Sequence, residues 1–451
     1  MSDDRTRPRP APPAAPARPD LAVTATTVDE VRAALRRAVT DRLAVRVHST
    51  GRAAGGVRPV RGGLLLRTRM TGGVRVDRRQ RIARIPAGAT WGEVVAATAP
   101  HGLTAAHGPA RAVGAVGHLL SGGVSLYGRC VGLAANAVRA VELVTADGTL
   151  RRVHVAADPE LFAALRGGGG GFGVVTAVEI GLFPVTEVVT GAAYWPVAEA
   201  GELLRTWLGW TRDAPRAATT SVRVLSLPPS PHLPPALTAG PVFVVDGAVV
   251  AAVPAEVPGA RAAAADLLGP LRAIAEPVLD TWAPTGPGGV FDAHGDPTDP
   301  VPRVGDHMLL GELDDAGAAA FLAAAGPGSG SPLAAAGLQQ LGGRFTTGAP
   351  GGGVLDRLTA RFSYAGSGPA ADPASAAAVR AHCSRVRRAL RPWDTGLTVP
   401  GLVEDVGRPQ RHLDEAALDL VDAVRDRVDP HGLFRGDVAP GASAERAARA
   451  A

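Results

Sequence analysis

Lysine is missing altogether: all 47 basic residues among the 451 of this chain are arginine. Arginine keeps its charge well above neutral pH, so the formal excess of +5 is a fixed feature of the chain. These arginines are scattered, and no aromatic residues alternate with them. That pattern argues against a basic, base-stacking surface, and no nucleic-acid partner is expected. Aromatic residues make up only 4% of the chain, so the cores must be built from Val, Leu, Ala and Ile. There are two cysteines, Cys130 and Cys383, far apart and outside any CxxC pair; one disulfide is possible but no framework. The eleven histidines form neither an HExxH motif nor a Cys/His cluster, so no metal is expected. No apolar run approaches the roughly 18 residues of a membrane span. The first twenty residues lack the apolar segment of a secretory signal. A cytoplasmic protein without membrane contact is expected, with residues 1–19 a disordered Pro/Arg/Ala-rich tail.

What the chain has is length, aliphatic residues and glycine. Its 451 residues exceed one ordinary core, so two or three domains are expected. Thr27-Val-Asp-Glu30 and Thr90-Trp-Gly-Glu93 are capping boxes, in which the Thr side chain satisfies an orphan N–H and the Glu reaches back. The second opens a helix that stops near His101-Gly102. Short strands are expected at 43–48, 64–66 and, as a pair, 75–85. Ala137 to Thr145 and Leu150 to Val155 form a hairpin around Asp147-Gly148. Asp158-Pro159-Glu160 starts a helix that runs to about Arg166. An apolar strand follows from Gly173 to Leu182. Residues 192–210 read as extended, then helical. Residues 221–260 alternate strands with Pro-rich turns, residues 284–304 and 325–332 read as loops, and residues 413–428 form an amphipathic helix.

Three glycine-rich segments bear on chemistry: Thr50-Gly51-Arg52, the stretch Val113-Gly114 to Gly122-Gly123-Val124, and Gly167 to Val175. Glycine lets backbone N–H groups approach a diphosphate with no side chain in the way. The order of elements tells against the common nicotinamide fingerprint, which needs strand, glycine loop, then helix, and leaves a nicotinamide dehydrogenase only as a minor rival. Here the last glycine run follows a helix and precedes a strand.

These segments, in this order, resemble the FAD-binding domain of the vanillyl-alcohol-oxidase superfamily (PCMH type), especially berberine-bridge-enzyme-like oxidases. The resemblance rests on Val45-Arg-Val-His-Ser-Thr-Gly51, Ile85-Pro-Ala-Gly-Ala-Thr-Trp-Gly-Glu-Val94, His101-Gly-Leu103, Val113-Gly to Gly122-Gly123, Gly128-Arg to Gly132-Leu-Ala-Ala135, Val138 to Asp147-Gly148, and Asp158-Pro-Glu-Leu-Phe through Phe172-Gly-Val-Val175. It continues more loosely at Tyr194-Trp-Pro196, Leu341-Gly-Gly343, Arg427-Val-Asp-Pro430 and Leu433-Phe-Arg435. It implies an α+β protein: a two-subdomain PCMH-type FAD-binding domain over 20–186, an antiparallel-sheet substrate domain with helices over 187–400, a segment over 401–440 returning to the first domain, and a flexible tail over 441–451. The cofactor implied is FAD, held by Ser49, Thr50, Gly51, Arg52, Val113, Gly114, Gly117, Ser121, Gly122, Gly123, Gly173, Val174 and Val175.

The departures from the family pattern are specific. Arg52 stands where the family often has a flavin-linking His, and Ala110 where doubly linked members have Cys. FAD is therefore expected to bind non-covalently. Arg52 either pairs with the diphosphate or is a solvated loop charge. His48 and Cys130 read as packing residues. Ser121 replaces a glycine, Asn136 an aspartate and Gly171 an asparagine. The usual C-terminal Tyr-x-Asn is missing, since Leu397-Thr-Val-Pro-Gly401 follows Gly396. A phenolic base must come from Tyr127, Tyr194 or Tyr364, and Tyr364 is the preferred candidate, with His382 and Asp394 behind it. The resemblance implies oxidation of a small molecule (an alcohol, a sugar or a secondary metabolite) by hydride transfer to flavin N5, with dioxygen as acceptor. The alternative is a family member with weak or no flavin that acts as a binding or scaffold protein.

Overall fold

The computed structural model describes residues 18–51, 61–229, 233–294, 302–405 and 411–436. Arg52 and nearly all of both expected tails lie outside them.

The described residues between 18 and 184 build two main small sheets with helices around them, plus a two-stranded pair of Leu103–Thr104 with Phe183–Pro184. The first is parallel, in the order Leu21–Ala25, Leu64–Thr68, Val45–His48. Val31, Leu35 and Ala38, on the core face of the helix Val28–Thr40, cover it. Thr27 caps that helix by accepting from the Glu30 N–H. The second sheet is antiparallel, in the order Arg75–Asp77, Ile82–Pro86, Val174–Gly181, Val138–Val144, Leu150–Val153. Val144 and Val174 from this sheet share a core with Leu64, Leu66 and Phe434, which joins the two sheets. The second capping box closes as expected, with Thr90 and Glu93 each bonding the other's backbone N–H. The helix Trp91–Thr98 passes through a short 3-10 turn to Gly102, whose φ of 65° needs the freedom of glycine.

At Glu187 the chain enters an eight-stranded, largely antiparallel sheet. Its path runs Leu279–Asp280, Glu187–Pro196, Val242–Ala251, Ala218–Leu225, Ala335–Gln340, Phe362–Pro369, Arg303–Leu310, with Ala283–Thr285 also on the Glu187–Pro196 strand. Four helices, Ala200–Thr211, Val257–Ile274, Asp315–Ala325 and Pro373–Leu390, pack on one face. The loop expected at 284–304 contains the short helix Val290–Ala293 and the start of a strand, and 221–260 ends in a helix.

The C-terminal helix Glu415–Val428 returns to the N-terminal unit. Its Val421, Val424 and Val428 enter that core, and Arg427 forms a two-pronged ion pair with Asp158 at 2.8 and 2.9 Å. Asp429 accepts the Leu433 and Phe434 N–H groups, and this bend sets Phe434 beside Val45 on the edge of the parallel sheet. Cys130 and Cys383 are not joined in a disulfide.

Candidate active site

The pleat of the eight-stranded sheet decides which residues can reach a site. Residues directly opposite one another in an antiparallel pair project to the same face. Ala193, Val245, Val222, Leu338, Tyr364 and Met308 are in register across six strands, and all lie in the core under the helices. The neighbouring row is Ala192, Asp246, Ser221, Gln339, Ser363 and Leu309, on the opposite face. Gln339 Nε2 donates to the carbonyl of Ser125 at 3.4 Å, so this face looks onto the N-terminal unit just past Gly122-Gly123.

That register corrects the expectation for Tyr364. Its ring is fully buried on the helical face and meets Phe321 edge-on, with centroids 6.3 Å apart. It faces away from the seam where the glycine segments lie. Tyr127 is sealed in the N-terminal unit, its hydroxyl donating to the Pro287 carbonyl, and burial pushes its pKa up. Tyr194 projects to the open face, one register step from Asp246. His382 is held under the helices by the Ala324 carbonyl, and Asp394 lies 3.6 Å from Arg387.

The glycine segments converge in part. A Cβ on Gly114 would sit 2.9 Å from Ser49 Oγ and 3.2 Å from Thr50 Oγ1, so two hydroxyls close on a backbone that has no room for a side chain. Gly51, with φ at 73°, and Gly117 both face open space. Val113 packs beside this turn, and its carbonyl accepts the Trp91 N–H. A backbone cradle of this kind, edged by hydroxyls, fits the diphosphate of a dinucleotide. Ser121 turns its hydroxyl back to the Gly117 carbonyl, and its own carbonyl accepts the Gly401 N–H. Leu355 and Val399 rest on Gly122, and Leu355 also rests on Gly167, so apolar side chains form the wall there. Gly123 covers His118 and Ala134. Gly173, Val174 and Val175 play a different part: Val174 and Val175 begin a strand, Val174 is fully buried between the two small sheets, and Gly173, just before it, sits against the Val144 carbonyl. The preceding run is held from its carbonyl side, where Arg425 donates to Gly168 and Gly170.

Ala110 is buried at its turn, and His48 sits at the end of the Val45–His48 strand. Burial, with Arg46 and Arg67 adding to it, keeps His48 below the usual imidazole pKa. His118 donates to the Val124 carbonyl from beneath Gly123, and burial brings it down to about 4. An open groove of about 610 Å³ lies elsewhere, on the outer face of the five-stranded sheet. Its Arg152 and Glu179 pair with each other in two bonds, as on a solvated charged face.

Sequence reasoning missed Asp246. Its carboxylate is fully buried and takes Arg223 Nε at 2.8 Å, Arg223 Nη2 at 2.6 Å and the Ser221 hydroxyl, with His294 Nδ1 3.3 Å away. Burial alone would raise its pKa; Arg223, His294 and Ser221 outweigh that and bring it down to about 2. One signal was available, a lone carboxylate inside the apolar run Val242–Ala251. Among the described residues no group of three metal-ligating side chains converges, and no helix is long and apolar enough to cross a membrane.

Comparison with known proteins agrees with this reading of domain and fold. Residues 19–154 match the family model of the FAD binding domain. The chain is 34% identical over 194 residues to (R)-6-hydroxynicotine oxidase of Paenarthrobacter nicotinovorans, covering 42% of each. It is 38% identical over 136 residues to an FAD-dependent monooxygenase of Fusarium proliferatum, covering 30% of this chain and 26% of the relative. These sequence matches span between about a quarter and two fifths of the relatives' length. The solved structure of 6-hydroxy-D-nicotine oxidase from Arthrobacter nicotinovorans superposes with a TM-score of 0.77 at 23% identity, over 93% of this chain and 91% of that one. Residues 19–154 form the matched FAD binding domain, and the chain as a whole shares the fold of that solved structure.

Proposed function

We propose that the chain is an FAD-dependent oxidoreductase that oxidises a small hydroxylated molecule in the seam between its FAD-binding domain and the polar face of its central sheet. The observation that carries this reading is the pairing of two surfaces. On one side two hydroxyls close on Gly114 in a backbone cradle. On the other, Asp246, Ser221, Gln339 and Ser363 form one register row that reaches Ser125. When bound, FAD accepts two electrons from the substrate, and dioxygen is the proposed final acceptor.

Ser49, Thr50 and Gly114 would hold the diphosphate. The polar row would bind and orient the substrate, while Leu355, Val399 and Leu309 would exclude water from the apolar side. Ala110 has no group with which to form a thioether link, which supports a non-covalent flavin. The protein would be cytoplasmic.

The test is a visible spectrum of the purified protein, followed by acid precipitation. A yellow protein that releases FAD into the supernatant is expected. Flavin retained in the pellet would overturn the non-covalent reading. A colourless protein that FAD cannot reconstitute would overturn the enzyme and favour a scaffold.

A further inference from the structure

We propose that His294 accepts the proton of the substrate's hydroxyl group and that Asp246 positions it; this rests on the oxidoreductase reading above. On the open face of the strand Val242–Ala251, the neighbours of Asp246 are Val242, Val244, Ala248 and Val250, all aliphatic. Packing alone would be served by another aliphatic residue there, since taking a carboxylate and a guanidinium out of water is costly. The strand nevertheless buries Asp246 completely, with Ser221 and Arg223 donating to it from the neighbouring strand and His294 Nδ1 3.3 Å away on a second segment.

His294 belongs to none of the strands. It ends the short helix Val290–Ala293, which lies on the same open face, with Val290 and Ala293 against Val188, Ala248 and Val250. The same helix is tied to the FAD-binding domain: Asp292 pairs with Arg111 at 3.0 Å, and Phe291 stacks on His107 with centroids 4.4 Å apart. The imidazole is thus fixed between the two surfaces of the proposed site. Its Nδ1 is buried and faces Asp246, while 24% of the side chain remains exposed. With Nδ1 turned to Asp246, Nε2 points away from the carboxylate. A carboxylate facing Nδ1 keeps the proton on that nitrogen and leaves Nε2 as the acceptor.

The substrate class follows from the row. Ser221, Gln339 and Ser363 line up beside Asp246 with hydroxyl and amide groups that donate and accept, which suits a molecule with several hydroxyls. In the step assigned here, the substrate O–H bond breaks and its proton goes to Nε2. The hydrogen of the neighbouring C–H bond leaves with its electron pair as a hydride, which is the cofactor's to accept, and the carbon–oxygen bond becomes a carbonyl. Asp246 offsets the charge of the imidazolium that results. Among the described residues, Asp246 and Arg223 face His294 from the sheet, Asp292 lies on its own short helix, and Arg111 pairs with Asp292 from the N-terminal unit; Tyr194 lies on the same sheet face, its pKa raised by burial.

Two measurements on the FAD-loaded full chain test this. In imidazole nitrogen NMR, with the His294 signal assigned by its loss in H294Q, the neutral ring is expected to be protonated at Nδ1. In D246N that preference for Nδ1 is expected to weaken, read from the two ring-nitrogen shifts. A ring protonated at Nε2, or a tautomer preference unchanged in D246N, overturns the pairing. In anaerobic mixing with D-glucose, N-acetylglucosamine and simple secondary alcohols, bleaching of the flavin band by a reactive probe should slow about 100-fold or more in H294Q and lose its rise with pH. D246N should slow it less and move the pH midpoint. H294Q bleaching at the wild-type rate, with the wild-type pH profile, overturns the role of His294 and leaves the oxidoreductase reading standing. Flavin that none of these alcohols bleaches in the wild type overturns alcohol oxidation itself, and this role with it.

Discussion

Arg129 Nη1 donates to the Leu341 carbonyl at 2.5 Å, joining the FAD-binding domain to the central sheet. The same side chain donates from Nε to Ala218 at 2.7 Å and from Nη2 to Ala214 at 2.9 Å, and its backbone N–H donates to the Thr219 hydroxyl. The residue is only 4% exposed, and all these partners are neutral oxygens. Burial, with Arg361 and Arg216 adding repulsion, brings its pKa down to about 10, so it is charged at neutral pH without a carboxylate. Three carbonyls in a fixed fork suit a guanidinium; an ammonium would serve them poorly.

R129M should therefore loosen the docking of the two units at a cost of roughly 2–4 kcal/mol, and R129K should recover only part of it. Urea unfolding followed by tryptophan fluorescence would show a lower midpoint for R129M. Five of the six tryptophans lie in the central-sheet unit, so the midpoint reports mainly on that half. An unchanged midpoint would mean that the two units hold together without this side chain.

Gly114 carries a second prediction. In G114A the new methyl group would press on Ser49 Oγ and Thr50 Oγ1, which must give way. FAD affinity should fall about tenfold or more, equal to about 1.4 kcal/mol, while the unfolding midpoint changes little. G209A, on the helix Ala200–Thr211 with nothing near its Cβ, is the control: it should raise stability by about 0.5–1 kcal/mol and leave FAD affinity alone. Fluorescence quenching of added FAD measures both. Equal affinity in G114A and the wild type would remove Gly114 from the cradle.

The parts of the fold legible in the sequence were those set by local chemistry. Thr90 and Glu93 bond each other's backbone, Asp158 caps the helix Pro159–Leu165, and Asp147-Gly148 turns a hairpin, each from a pattern only a few residues long. The helices Val257–Ile274, Asp315–Ala325 and Pro373–Leu390 were not read from the sequence, although Asp314 and Asp372 cap the last two. All three are rich in alanine, so few large apolar residues mark their buried faces, and the first contains Pro270. The polar row was illegible for another reason. Ser221, Asp246, Gln339 and Ser363 come from four strands, and only the pairing register aligns them.

Tyr364 shows the same limit from the other side. A scarce phenol on a strand looks chemical in one dimension, but the register with Leu338 and Met308 turns it beneath the helices. Y364F should therefore leave flavin reduction by any reactive alcohol within about twofold of the wild type and shift stability by less than about 1 kcal/mol. A 100-fold loss in reduction rate with an unchanged fold would restore the phenol to the mechanism.

Acid sensitivity is set by buried histidines. Burial brings His107, His118 and His412 down to about 4 and His307 to about 3. A histidine with a depressed folded pKa contributes its full stability above the unfolded value near 6.5 and loses it as pH falls toward the folded value. Each loses up to about 1.4 kcal/mol per pH unit across that window. Asp429, raised by burial against the pull of the Phe434 and Leu433 amides, works in the opposite sense and offsets part of one share. The carboxylates held low, Asp246 among them, release their contribution only below about pH 4. The urea midpoint should therefore fall between pH 7.5 and pH 5, before carboxylate protonation begins. H118Q, which keeps a neutral donor toward the Val124 carbonyl, should make that fall shallower by about one histidine's share. Midpoints equal at the two pH values would show that these imidazoles find water or partners that carry their charge.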